Sequence, residues 1–130
     1  MSYRNQFYQR YISTHFGAIR EISLQACENQ VEIFRSYFKK HLPKNTQAKV
    51  LDLGCGFGSF LYFLRKEGFQ DVHGVEISTE QVAAAKSIGI PNMSCNDIID
   101  YLKDNPESFD CVVALDVIEH FPKSEICTLI

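Results

Sequence analysis

Two groups of residues in this sequence have the types and spacing to do chemistry. The first is the pentapeptide Asp116-Val117-Ile118-Glu119-His120, which brings two carboxylates and an imidazole together. An imidazole titrates near neutrality, so His120 is the candidate general base; a histidine that only packs or caps is the competing reading. Asp116, Glu119 and His120 are also of the types that hold a divalent cation. The second group is the stretch VLDLGCGFGSF, with Gly54, Gly56 and Gly58 at alternate positions behind Asp52. Glycine loses more backbone freedom on folding than any other residue, so three in so short a run signal a need for unusual φ or for a missing Cβ. Glu76 in GVEIS and Asp97 in CNDI stand further on, each after a short apolar run.

The elements that must position these residues alternate in period. Leu24, Cys27, Val31, Phe34, Phe38 and Leu42 recur at three and four, which predicts a helix from about Arg20 to Leu42. AKVLDLG reads as a first strand and Ser59 to Lys66 as a helix with Phe60, Leu61, Phe63 and Leu64 inward. DVHGVEI is a second strand. Ser78 is an N-cap with Gln81 completing a capping box, and the helix it starts ends at Gly89. NMSC is a third strand and Asp97 to Lys103 a short helix, for which Asp97 is also a good N-cap. FDCVVALDV is a fourth strand, apolar enough for a central parallel strand buried on both faces, and Pro122 opens a last helix. A helix followed by β-α-β-α-β-α-β implies an α/β fold: a parallel sheet between two helical layers.

In such sheets ligands bind beyond the carboxyl ends of the strands, where the glycines sit. A dinucleotide fingerprint needs G-x-G-x-x-G, but Ser59 holds its third glycine position and the glycine arrives one residue early, at Gly58. A phosphate loop fails because no Lys-Ser or Lys-Thr follows. Asp52 suits a cationic ligand better than a pyrophosphate.

Asp52-Leu53-Gly54-Cys55-Gly56-Phe57-Gly58 resembles the first motif of class I S-adenosylmethionine-dependent methyltransferases. The resemblance extends to Glu76, where the family places an acid against both ribose hydroxyls, and to Asp97, where it often places one near the adenine amino group. FDCVVALDVIEHF is similar to the fourth-strand motif, so that the match covers roughly residues 48 to 122. It implies a Rossmann-like three-layer fold with strand order 3-2-1-4. It also implies S-adenosylmethionine as methyl donor and S-adenosylhomocysteine as product. The implied donor contacts are Asp52, Gly54, Cys55, Gly56, Gly58, Glu76, Ile77, Asp97, Ile98 and Leu115, with Tyr11, beside His15, from an N-terminal lid. The donor's ribose diol suits a bidentate contact with a carboxylate. The segment Asp116 to His120 also resembles one that binds a metal in some subfamilies; no metal is expected here.

Composition narrows the classes further. The 130 residues suit one structural domain: residues 1–46 as arm and helix, 47–130 as the donor-binding core. A net charge of −3 disfavours a nucleic-acid partner. The basic cluster Lys39, Lys40 and Lys44 reads as the solvated end of a helix. Five cysteines without C-x-x-C spacing indicate reduced thiols rather than a disulfide framework or zinc site. With no apolar leader or span, a cytoplasmic protein without a membrane partner is expected. The family's sheet has seven strands; this sequence runs only just past the fourth. That suggests a fragment, a homo-oligomer or partner chain over the fourth-strand edge, or a reduced module. The expected activity is methyl transfer to a small molecule or sugar, at oxygen. A non-catalytic donor-binding subunit is the alternative, and a nicotinamide-dependent oxidoreductase is disfavoured by Asp52 and Gly58.

Overall fold

The structure, a computed structural model, describes residues 23–106, 108–115, 117 and 121–124. Helix α1 runs Leu24–Phe38 and continues as a 3-10 turn, Lys39–His41. Strand β1 (Val50–Leu53), helix α2 (Ser59–Lys66), strand β2 (Val72–Glu76) and helix α3 (Thr79–Ser87) follow. Strand β3 (Met93–Cys95), helix α4 (Ile98–Asp104) and strand β4 (Cys111–Ala114) complete the described elements. The strands form one parallel sheet, as the alternation of elements implies, in the order β3-β2-β1-β4 that the resemblance implies. The first helix begins at an N-cap the sequence pattern overlooked: Ser23 Oγ accepts the Ala26 N–H at 3.1 Å.

Successive side chains of β1 alternate between two cores. Val50 enters the larger one, with Phe60, Leu61, Phe63 and Leu64 of α2 and Val82 and Ala85 of α3. Leu51 and Leu53 enter the smaller one, with Val75, Ile98 and Val117. Helix α1 lies on α2 through stacked aromatics: Phe34 meets Phe60 edge-on at 5.1 Å between centroids, and Phe38 meets it at 5.5 Å. Glu67, at the end of α2, accepts from Arg35 Nε at 2.6 Å and pairs with Lys39 Nζ at 3.0 Å. These bonds hold its carboxyl below the usual carboxylate range against the opposing effect of burial. Leu24, counted on the apolar stripe, is 49% exposed at the helix start.

Strand β4 corrects the expectation of burial on both faces. Val113 packs against the larger core, but Val112 is 51% exposed. The strand lies at the edge of the sheet, and on the Val112 face only Ala114 packs against the smaller core. The capping box is corrected as well. Ser78 Oγ does accept the Gln81 N–H, at 3.3 Å, but the reciprocal bond from Ser78 N–H goes to Glu76 Oε2 at 2.8 Å and not to Gln81.

Gly74 sits in the middle of β2 because a side chain has no room there. A Cβ would lie 2.6 Å from both Cys55 Sγ and Leu61 Cδ1. Both atoms belong to buried side chains of the larger core. Gly74→Ala is therefore expected to lower stability by about 1–3 kcal/mol through overpacking. A urea unfolding midpoint equal to that of the wild type would show that the core yields freely at this point.

Candidate functional site at the carboxyl edge of the sheet

The described connections β1–α2, β2–α3 and β3–α4 meet at the carboxyl edge of the sheet, and the described residues singled out in the sequence lie on them, at the strand ends below or just after β4. The β1–α2 loop turns back directly after the strand. Gly54 and Cys55 both donate their N–H groups to Val75 O, at 2.8 and 3.1 Å, which pins the loop to the neighbouring strand. Gly58 N–H then closes a turn on Cys55 O at 3.0 Å and caps α2 in the left-handed region, at φ 92°. No side chain caps this helix, so its first-turn N–H groups remain unsatisfied by a cap at the loop.

The sequence raised two demands for the glycines, unusual φ and missing Cβ, and both hold. Gly54 has φ +70°, and a Cβ on it would lie 2.6 Å from Val117 Cγ2; at Gly58 a Cβ would lie 2.7 Å from Ile90 Cγ2. The protein's own packing thus requires these two glycines. At Gly56 the nearest atom to such a Cβ is Gln81 Oε1, at 3.0 Å, the far end of a flexible side chain.

Glu76 ends β2 and is 6% exposed. Its Oε1 accepts the Gly56 N–H at 3.0 Å and its Oε2 the Ser78 N–H at 2.8 Å. One carboxylate therefore ties the β1–α2 loop to the β2–α3 loop. Burial raises its pKa, and the backbone N–H groups of Ser78, Gly56 and Ile77 oppose that rise. Asp52 lies opposite Gly74 on the adjacent strand, on the same face as Glu76 by alternation. It is 2% exposed, and among the described residues no group hydrogen-bonds its carboxyl. Desolvation first, and repulsion from Glu76 second, push its pKa up to about 8.

The remaining candidates fall into place around this pair. Cys55 is buried with Sγ 3.2 Å from Met93 Sδ. Its thiol is pushed well up, chiefly by burial, so it is neutral and no nucleophile. Ile77 follows Glu76 half-buried, and Leu115 lies half-buried just after β4. Asp97 caps α4, Oδ1 accepting from Ile99 N–H at 2.9 Å and Asp100 N–H at 3.2 Å. Ile98 is 9% exposed and its Cδ1 would stand 3.9 Å from a Cβ on Gly54. Tyr11, His15, Asp116, Glu119 and His120 lie outside the described residues. Among the described residues no group of three or more His, Cys, Asp or Glu comes together to hold a metal, and no helix is long and apolar enough to cross a membrane.

Sequence reasoning missed Gln81, Ile90 and Val117 as parts of the loop's surroundings. Gln81 was assigned to the cap; the signal against that was Glu76, two residues before Ser78 and able to reach the same N–H. For Ile90 and Val117 no local pattern existed, since they reach the loop only through the fold.

Known proteins carry the same framework. A family model described as a methyltransferase domain matches residues 26–127. The chain belongs to the class I methyltransferase family. The methyltransferase domain is 29% identical over 79 residues to the ubiquinone biosynthesis O-methyltransferase of Aliivibrio fischeri, a match covering 57% of this chain and 33% of that protein. It is 30% identical over 91 residues to the enzyme of the same name from Xylella fastidiosa, covering 66% and 36%. This chain thus spans about a third of the curated relatives it matches. Its fold is similar to that of magnesium protoporphyrin IX methyltransferase from Synechocystis PCC 6803 with bound SAM. The TM-score is 0.67 at 20% identity, over 99% of this chain and 69% of that one.

The Asp52 environment makes stability depend on pH. Below about pH 4 the carboxyl is protonated in both folded and unfolded chains. Between there and about pH 8 it is ionised only when unfolded, so its contribution to folding declines as pH rises. Above about 8 it is ionised in both. Asp52→Asn keeps the neutral shape, so the stability of this variant relative to wild type is expected to grow across that window. Chemical denaturation at several pH values measures the difference; a constant difference would contradict the buried, unpartnered carboxyl.

Proposed function

We propose that this methyltransferase domain binds S-adenosylmethionine at the carboxyl edge of its sheet, as the donor half of an enzyme that methylates a small molecule or sugar at oxygen. The observation that carries the reading is the Glu76 carboxylate. It is buried, tied to both loops through Gly56 and Ser78, and placed at the end of β2 beside the glycine turn.

The residues present fit such a ligand. The loop N–H groups on Glu76 occupy only part of a carboxylate's four acceptor sites, which leaves lone pairs to accept from a ribose diol. Asp52 is a buried carboxyl without a described partner, and a cationic group nearby would favour its ionised form. Gly56 leaves a Cβ-sized space facing only a flexible side chain. Ile77, Ile98 and Leu115 supply apolar surface at the same edge, and Tyr11 of the N-terminal segment is proposed as a lid contact. When bound, S-adenosylmethionine supplies an activated methyl group. The chain's task is to hold and orient it, which is the larger part of catalysis for an in-line displacement. His120, in the segment following β4, is proposed to accept the proton of the acceptor hydroxyl. The likeness to O-methyltransferases supports oxygen as the acceptor atom. Residues 1–46 are proposed as the arm and helix over the donor core of 47–130, and a cytoplasmic setting accords with this role.

Titration calorimetry with S-adenosylhomocysteine, and with NADH as control, tests the reading. Micromolar binding of the sulfur ligand alone is expected. Glu76→Ala is expected to weaken it tenfold or more, about 1.4 kcal/mol, with the fold checked by circular dichroism. Binding of NADH in preference, or unchanged affinity in a folded Glu76→Ala protein, would overturn it. In a methyl-transfer assay His120→Ala is expected to lower kcat by about 10²–10⁴ while donor affinity holds; an unchanged kcat would remove the base role.

A further inference from the structure

Two buried carboxyls share one face of the sheet. Asp52 stands opposite Gly74 of β2 and Val113 of β4, and Glu76 lies on the same face two residues beyond Gly74. They are 2% and 6% exposed. Their partners are unequal. Glu76 accepts the N–H groups of Gly56 and Ser78, whereas among the described residues nothing hydrogen-bonds the Asp52 carboxyl. The other titratable groups beside the pair are thiols, Cys55 on the glycine loop and Cys95 opposite Glu76 on β3, and burial raises both. From α2 and α3 the larger core presents apolar side chains, and Gln81 beside the loop is uncharged. Lys86 of α3 acts on Cys95 and on neither carboxyl; among the described residues no Lys, Arg or His pairs with Asp52 or Glu76.

Two acids so placed do not both ionise near neutrality. The one with backbone donors keeps the charge, and the one without keeps the proton. Burial first and Glu76 second push Asp52 up to about 8, so the pair holds one proton at neutral pH. A cation arriving beside the pair releases that proton. The methyl donor brings such a cation. Its amino-acid tail is zwitterionic, so the ammonium and the carboxylate largely offset each other at a distance. The sulfonium has no counter-charge of its own, and its field is little weakened in a site that excludes water. In S-adenosylhomocysteine the sulfur is a neutral thioether.

We propose that the Asp52–Glu76 pair senses the charge of the ligand: it gives up its shared proton to solvent when S-adenosylmethionine binds and keeps it when S-adenosylhomocysteine binds. The donor is then favoured over the product increasingly as pH rises towards about 8. This inference rests on the donor-site reading above and adds a proton-linked selection to it.

Calorimetry in two buffers of different ionisation enthalpy counts the protons. At about pH 6.5 the donor's own α-ammonium is still protonated. There the wild type is expected to release about 0.5–1 proton per S-adenosylmethionine bound, and none with S-adenosylhomocysteine. Between about pH 6 and about pH 7.5 affinity for S-adenosylmethionine is expected to rise roughly three- to tenfold per pH unit, while affinity for S-adenosylhomocysteine stays flat. Asp52→Asn is expected to release no proton and to lose the pH dependence. Binding of both ligands to wild type with no proton released, or with equal release, would overturn the inference. So would undiminished release from Asp52→Asn, which puts the proton elsewhere. Should that variant fail to fold or to bind, infrared difference spectra of the wild type decide. Loss of a protonated-carboxyl C=O band on adding S-adenosylmethionine, and not on adding S-adenosylhomocysteine, is expected; a band that persists with both refutes the inference. A wild-type chain that binds neither ligand would refute the donor-site reading itself, before any proton is counted.

Discussion

A single carboxylate organises the edge of this sheet. Glu76 accepts one N–H from the glycine loop and one from the loop that starts α3, at 3.0 and 2.8 Å. Charge-assisted bonds to backbone N–H groups are among the stronger ones a protein makes, more so out of water. The N–H groups of Gly54 and Cys55, both on Val75 O, add a second tie between the glycine loop and β2.

The arrangement is costly for folding. Asp52 and Glu76 face the same side of adjacent strands, Asp52 opposite Gly74 and Glu76 two residues beyond it, and both are buried. Two carboxyls so placed repel, and one of them stays protonated near neutrality. Nothing in the packing requires an acid at Asp52: its strand neighbours Val50, Leu51 and Leu53 are ordinary core residues. A buried carboxyl and a buried amide, both without described partners at one loop, mark a place where the chain is built for something other than its own stability. The two cores, the aromatic stack of α1 on α2 and the Glu67 ion pairs supply the stability that lets this edge persist.

Much of this was legible in the residues. Element order and the parallel sheet followed from period changes and from the single kind of connection that joins parallel strands; the 3-2-1-4 order followed only from the family resemblance. Asp52, the glycines and Glu76 could be placed at one edge because strand ends are where loops turn. What escaped had physical causes. Gln81 was assigned to the N-cap because local spacing cannot show that Glu76 competes for the Ser78 N–H. Val112 was expected inside because an apolar run does not say whether its strand is central or at an edge. The reason for Gly54 and Gly58 was only half visible, since Val117 and Ile90 reach them through tertiary packing. The glycine pattern itself was visible because positive φ and close approach both exclude other residues.

The loop held by Glu76 is the proposed seat of the donor. Amide chemical-shift mapping of the chain during titration with S-adenosylhomocysteine tests it most directly. The largest shifts are expected on the amides of residues 54–58 and 76–78, with smaller ones at 97–98, while the α1–α2 face stays unmoved. Saturable shifts centred on any other part of the chain, with the Gly56 and Ser78 amides unchanged, would contradict it.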